Sequence, residues 1–344
     1  MKQFSSVDLM KIMEEAKVVD NSRIDSVYCD GKNFVFHFYV TSKGKYFLKF
    51  EPGKACYFIS EKEGEKKNGF VQYLNKLFAN KRVDYARQIG SERAVEISIG
   101  DYKIYIELFG KGNVIVVKNG LVENFFENQK LEKGQKYASS KREFDFDISF
   151  ENFTKLFNED MIMKVLVSFV GKKYAEELCT EANIKKDEKK ISKKELQELF
   201  KIFQSLLKRD IKANIVYENG NAIDVFPFDL QIYKNHKKKY FESYSKALEE
   251  FSKEYFVQKS SYDSQIDKLY KIIGMQEEQL KTVENSINEN TGKANKIYEN
   301  YQFFKDLTDK VKELRKTMSW KQIKEKKFKY EIDEKNSTIK VDLK

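Results

Sequence analysis

Residues 104–117 read IYIELFGKGNVIVV. An alternating apolar run stops at Gly110-Lys111-Gly112-Asn113 and resumes over 114–117, which predicts two strands joined by a tight turn. Two of the chain's 15 glycines are used in that turn. Glycine and asparagine supply the positive φ that tight turns require. The same backbone amides, with Lys111 and Asn113 beside them, would equally suit a phosphate contact. Strand on both sides, rather than strand then helix, argues against a dinucleotide or Walker loop.

Working outward, strand signals cover 82–89, 93–99, 102–109 and 113–117, and Asn119-Gly120 turns the chain into 121–127. Before them, 24–29, 33–41, 45–51 and 56–60 alternate as strands, and 70–78 places Phe70, Val71, Leu74, Leu77 and Phe78 on one helical face. The opening SSVDLMKIMEEAK predicts a helix, with Ser5 and Asp8 as its capping pair. Residues 1–150 therefore read as a mixed α+β domain, mainly antiparallel.

From about 150 the pattern becomes helical. MKVLVSFVGKKYAEELCTEANI (163–184) reads as helix, turn at Gly171, helix, and Ser192 with Glu195 caps a further amphipathic helix. In a helix-hairpin-helix, turn amides at Gly171 with Lys172 and Lys173 would face a phosphate; a plain helical hairpin is the alternative. Residues 151–255 are thus read as a helix-hairpin-helix domain with a connecting segment. Over 256–344 the steps Ile266, Leu269, Ile273, Gln276, Leu280, Val283, Ile287 form a heptad seam. Asn290-Thr291-Gly292 is expected to break it. A second helical segment leads to Trp320, and a small hairpin ends the chain.

Lys and Arg number 64 against 54 acidic residues, a formal charge of +10. That excess favours an acidic partner such as nucleic acid, although much of the lysine lies beside glutamate in helical stretches. The run Lys237, Lys238, Lys239 is either a phosphate contact or a solvated strip. Three widely spaced cysteines and two histidines are too few and too scattered for a disulfide framework or a metal site, and no cofactor is expected. No signal peptide and no apolar span are seen, which predicts a cytoplasmic protein without a membrane partner.

Four stretches, in order, carry a family resemblance: SSVDLMKIMEEAK; RQIGSERAVEISI with YIELFGKGNVIVV; LVSFVGKKYAEELCTEANI; and PFDLQIY with FESYSKALEEF. Together they resemble the NFACT family, some of whose members carry the name fibronectin-binding protein A. The resemblance implies the family's α+β amino-terminal domain, a helix-hairpin-helix domain, and a coiled-coil helix with a small middle domain. It implies a ribosome-associated quality-control factor that binds large ribosomal subunits obstructed by peptidyl-tRNA, contacts tRNA and rRNA, and supports template-free tailing of the nascent chain. Alanyl-tRNA is then the tRNA to consider first. Carried onto this sequence, the family's opening aspartate falls on Asp8 and its Asp-Arg pair on Glu92-Arg93, where the acid is one methylene longer. Arg87 would add charge to the same surface. Family members continue past this point with a returning helix and an RNA-binding domain, neither of which lies within these 344 residues.

The family's amino-terminal layout is also similar to that of formamidopyrimidine-DNA glycosylases, whose nucleophile is an amino-terminal proline. Positions 2 and 3 here are Lys2 and Gln3, and the only prolines are Pro52 and Pro227, so that chemistry and DNA as its substrate are excluded. No Ser-His-Asp set, metal cluster or Walker loop is present, so no conventional active site is expected. The competing reading is a coiled-coil adaptor that binds protein and has no RNA affinity.

Overall fold

The computed structural model describes residues 2–128, 131–138, 145–157, 162–185, 191–258, 261–325, 330–333 and 336–341. They belong to two compact units, residues 1–258 and 259–344.

The first unit opens with helix α1 (Ser6–Ala16), which starts where Ser5 and Asp8 satisfy each other's backbone amides at 2.7 and 3.2 Å. Leu9, Ile12 and Ala16 turn its apolar stripe inward. Strands β1 (Arg23–Asp30), β2 (Asn33–Val40), β3 (Gly44–Glu51) and β4 (Ala55–Ile59) then form an antiparallel meander. The period of two sends Phe34, Phe36 and Phe38 to the core face, opposite Phe50, Leu48 and Tyr46. Helix α2 (Gly69–Phe78), capped by Asn68, packs Val71, Leu74 and Phe78 against the same core.

A second meander follows: β5 (Tyr85–Gln88), β6 (Ala94–Ile99), β7 (Tyr102–Glu107), β8 (Asn113–Lys118) and β9 (Leu121–Phe125). Ile97, Ile104 and Val116 stand in register across it and join the core of the first sheet. The turn between β7 and β8 is the Gly110–Asn113 stretch, with φ of 57° at Gly110 and 71° at Gly112. A Cβ on Gly112 would stand 2.1 Å from the backbone nitrogen of Gly53, and Gly53 N donates to Glu107 O at 3.1 Å. The glycines therefore let one sheet's turn seat directly on the Pro52-Gly53 turn of the other.

Helices α3 (Phe150–Lys155), α4 (Ile162–Val170), α5 (Lys172–Glu181) and α6 (Lys193–Leu207) gather around Phe153, Leu166, Phe169, Leu178 and Phe203 in a second core. The segment expected only to connect also carries a sheet. Strands β10 (Asn214–Glu218), β11 (Asn221–Phe226) and β12 (Lys237–Tyr240) pair in the order β11-β10-β12. Asn219 and Gly220 turn β10 into β11 with φ of 50° and 81°, the geometry Asn119 and Gly120 use between β8 and β9. The sheet feeds Ile215 and Val225 into one core and Val216 and Phe226 into the other. Helix α7 (Tyr244–Gln258) closes the unit.

The second unit begins with α8 (Ser261–Glu299), a helix of 39 residues. The expected break at Asn290-Thr291-Gly292 does not occur. A mid-helix glycine costs only about 1 kcal/mol, and the Glu289–Lys293 ion pair at 2.7 Å spans the triplet. Leu269, Leu280, Val283 and Ile287 of the seam are exposed. Helices α9 (Tyr301–Thr317) and α10 (Trp320–Glu325) and the hairpin β13 (Glu331–Asp333) and β14 (Thr338–Lys340) complete the unit. The family resemblance implies an α+β fold with antiparallel sheets, and the structure has it; every named strand pair is antiparallel.

Candidate functional site

Two segments distant in sequence, the β5–β6 turn and the α4–α5 turn, converge on residues 4–6 at the start of α1. Arg93, just before β6, donates from Nη1 to Phe4 O at 3.0 Å. Gln88 Nε2, across the β5–β6 turn, donates to Ser6 O at 3.0 Å and to Glu92 O at 2.8 Å. The α4–α5 turn arrives from the other side: Ser6 Oγ donates to Phe169 O at 3.1 Å, and a Cβ on Gly171 (φ 90°) would stand 2.7 Å from Ser5 Cβ. Only glycine permits that approach at that φ. Arg93, Glu92 and Gly171 are thus brought together around residues 4–6, with Lys172 exposed at the start of α5. Lys173 is half-buried, with its ammonium 5.4 Å from the Tyr233 ring centre and 3.6 Å from Glu176. Burial alone would depress its pKa, but its hydrogen bond to Tyr233 and the nearby acids outweigh this and raise it.

Asp8 shares that helix end but faces inward and has no exposed surface. Oδ1 accepts from Tyr174 Oη at 2.6 Å and Tyr244 Oη at 2.5 Å, and lies 3.3 Å from Lys2 Nζ. Lys2 also reaches Asp224 at 3.5 Å and stands over the Phe226 ring at 4.0 Å. Burial, then the Asp8 charge, push both phenols well above the ordinary tyrosine range. A buried carboxylate is tolerated only with such partners. Asp8, the position onto which the resemblance carries the family's opening aspartate, therefore ties α1 to α5, α7 and β11, and with no part of it meeting solvent it has no surface of its own for RNA. Sequence reasoning named Asp8 but missed Lys2, Tyr174, Tyr244 and Asp224. The two tyrosines lie inside the quoted family stretches, and nothing local marks their target.

Arg87 projects from the outer face of the second sheet, its guanidinium 4.3 Å from the Tyr85 ring centre and 2.9 Å from Glu96 Oε1. Glu96 also accepts from Tyr85 Oη at 2.7 Å and Lys103 Nζ at 3.2 Å. Burial pushes its pKa up, but bonds from Tyr105, Tyr85 and Lys103 more than reverse this and lower it to about 2.

The remaining candidates scatter. Lys111 is exposed at the β7–β8 turn. Asn113 beside it is fully buried, its Oδ1 accepting from Glu127 N and its Nδ2 donating to Glu127 O, each at 2.9 Å. It has no surface to offer a phosphate, and that expectation is corrected. Lys237, Lys238 and Lys239 lie on β12, an edge strand, where lysine discourages pairing with another chain. Lys238 meets Asp229 at 2.7 Å, and Lys239 meets Glu250 at 3.1 Å, so two of the three charges are already opposed. Among the described residues no group of three or more His, Cys, Asp or Glu side chains is arranged to hold a metal, and no helix is long and apolar enough to cross a membrane.

Comparison with known proteins gives the arrangement a family. Residues 5–344 match the family described as NFACT N-terminal and middle domains. The chain is 26% identical over 360 aligned positions to the archaeal Rqc2 homolog aRqcH of Methanocaldococcus jannaschii, covering 94% of this chain and 54% of that protein. It therefore spans about half the length of this curated relative. Two solved structures share the fold at 16% identity. The fibrinogen binding protein from Staphylococcus aureus has a TM-score of 0.60 and covers 72% of this chain and 98% of its own. The N-terminal part of the fibronectin/fibrinogen-binding protein from Streptococcus suis has a TM-score of 0.56 and covers 73% and 99%. With its family match running over nearly the whole sequence, the chain belongs to the NFACT family.

Proposed function

We propose that the chain is a ribosome-associated quality-control factor. In this reading it binds large ribosomal subunits obstructed by peptidyl-tRNA, contacts tRNA and rRNA, and supports template-free tailing of the stalled nascent chain, with alanyl-tRNA as the aminoacyl species to test first. Family membership and the name of the archaeal relative support the reading at the level of the family. The observation that carries it to residues is the setting of Arg93, which is held by Phe4 O where the α4–α5 turn meets the start of α1. A guanidinium fixed in orientation can bond a phosphate bidentately or stack on a splayed base. Lys172, exposed at the start of α5 next to the glycine that packs on Ser5, supplies a second positive charge. Glu92 has the role of orienting acid, and Asp8 serves the site indirectly by keeping α1 in place. Arg87 and Lys111 are outlying phosphate contacts in the same reading. The factor acts on the ribosome's substrates without an active site or cofactor of its own.

A gel shift with tRNA over a salt series tests this. Binding should weaken steeply with salt, and Arg93→Ala should weaken it about tenfold or more, the scale of a lost hydrogen bond to a charged group. Salt-independent binding, or wild-type affinity in Arg93→Ala, would remove the residue-level basis of the proposal.

The adaptor reading draws on one observation, the exposed Leu269, Leu280, Val283 and Ile287 along α8. Apolar rows of this kind mark protein contacts. Tight, salt-insensitive binding of a protein partner without tRNA affinity would favour it.

A further inference from the structure

The outer face of the first sheet carries a row of residues that the packing of the fold does not explain. Arg82 bridges Arg23 antiparallel, Arg23 stands opposite Tyr39 across β1 and β2, and Tyr39 stands opposite Lys45 across β2 and β3. Directly opposed residues share a face, with Cβ atoms about 5 Å apart. The row therefore reads cation, cation, aromatic, cation. All four residues are exposed, Tyr39 by 53%. Lys43 and Lys81, both exposed, flank the row in sequence at the β2–β3 turn and beside Arg82.

Among the described residues these cations have no acid to answer them. Arg82 donates to neutral Asn21 Oδ1 at 2.8 Å, and no ion pair involves Arg23, Lys43, Lys45 or Lys81. The acids nearest in sequence are engaged elsewhere. Asp25 accepts from Ser26 Oγ at 2.9 Å and lies 2.8 Å from His37 Nδ1, while Asp20 accepts from Ala86 N at 2.9 Å. Like charges set directly opposite one another on a sheet destabilise it. Arg82 and Arg23 thus cost the fold something, and a bound anion would offset that cost.

We infer that this row is a second RNA-binding site, separate from Arg93, that takes a single-stranded segment. Phosphates lie on Arg23, Arg82 and Lys45, and one unpaired base stacks on Tyr39. The inference rests on the RNA-binding reading above. An acidic peptide would answer the cations but brings a planar partner for Tyr39 only where it carries an aromatic residue at the right spacing, whereas any nucleotide brings both, and stacking on a tyrosine is tolerant of sequence. A duplex hides its base faces and cannot use the ring.

Fluorescence anisotropy with the 344-residue chain tests it. The probes are a labelled unstructured RNA of about 12 nucleotides, within the usual single-strand site size, the same sequence annealed to its complement, and tRNA. Tyr39→Ala should weaken single-strand binding about tenfold, the scale of one lost base stack, and Tyr39→Phe should restore it. Duplex binding should be unchanged by either. Arg23→Ala and Lys45→Ala should each reduce the salt slope by about 0.7, the value per phosphate for single strands. Arg82→Glu places an acid opposite Arg23 and should raise the melting temperature while weakening RNA binding. Unchanged single-strand affinity in Tyr39→Ala together with an unchanged slope in Arg23→Ala would overturn the proposal. If RNA binding responds only to Arg93→Ala, the row alone falls. If the wild-type chain binds none of the three RNAs, the functional reading falls and the row with it.

Discussion

Gly112 and Glu96 show how single residues set this domain's stability. Gly112→Ala puts a methyl group into the backbone of Pro52 and Gly53 at a φ of 71°. Steric clash and strain together should cost about 2–4 kcal/mol, read as a lowered denaturation midpoint; a change below about 0.5 kcal/mol, the usual span for an uninvolved surface site, would mean the two turns do not rest on each other. Glu96 makes a pH-dependent contribution. Its folded pKa, about 2, lies below the ordinary 4.5. The stability it confers is therefore present above about pH 4.5 and is lost as pH falls towards 2. At about 1.4 kcal/mol per unit, the contribution is on the order of 3 kcal/mol. Glu96→Gln should lower stability at neutral pH and flatten its decline between pH 4.5 and 2, measured by urea unfolding at several pH values. An unchanged acid limb would assign that decline to other carboxylates.

Among the elements, those specified by near neighbours in sequence were legible. The capping boxes at Ser5 and Ser192 appear where the S-x-x-D and S-x-x-E patterns place them, and Asn119-Gly120 turns β8 into β9. Asn219-Gly220 carries the same signal, but the helical segments around it mask the strands it joins. At Asn290-Thr291-Gly292 local propensity pointed the wrong way, because a long helix absorbs one poor triplet at little cost. Gly292→Ala in α8 should therefore increase helicity and slow amide exchange around it by up to about 1 kcal/mol; reduced protection there would argue for a real break. The edge strand β12 gives a contrast to Arg93. Since Lys238 and Lys239 are already opposed by Asp229 and Glu250, Lys238→Ala and Lys239→Ala should weaken tRNA binding less than Arg93→Ala does in the same gel shift. An equal or larger loss would move the RNA path to β12.

For the whole molecule, the α+β class and the family order were readable because turn residues, strand period and heptad steps are local signals. The convergence at α1 was not. Asp8 meets Tyr174 and Tyr244 across 166 and 236 residues of sequence, and Gly171 meets Ser5 across a comparable gap. Nothing within a window of a few residues encodes such pairings. The composition of the IYIELFGKGNVIVV stretch has a structural reason, since its glycines join two sheets and its asparagine holds Glu127. That explains its composition without any ligand. The central claim is association with the ribosome, and the direct measurement is sedimentation of the chain with dissociated large subunits, with and without peptidyl-tRNA. The account predicts co-sedimentation that is strongest with peptidyl-tRNA present and is reduced by Arg93→Ala. No co-sedimentation in either case, with the chain shown to be folded, would contradict it.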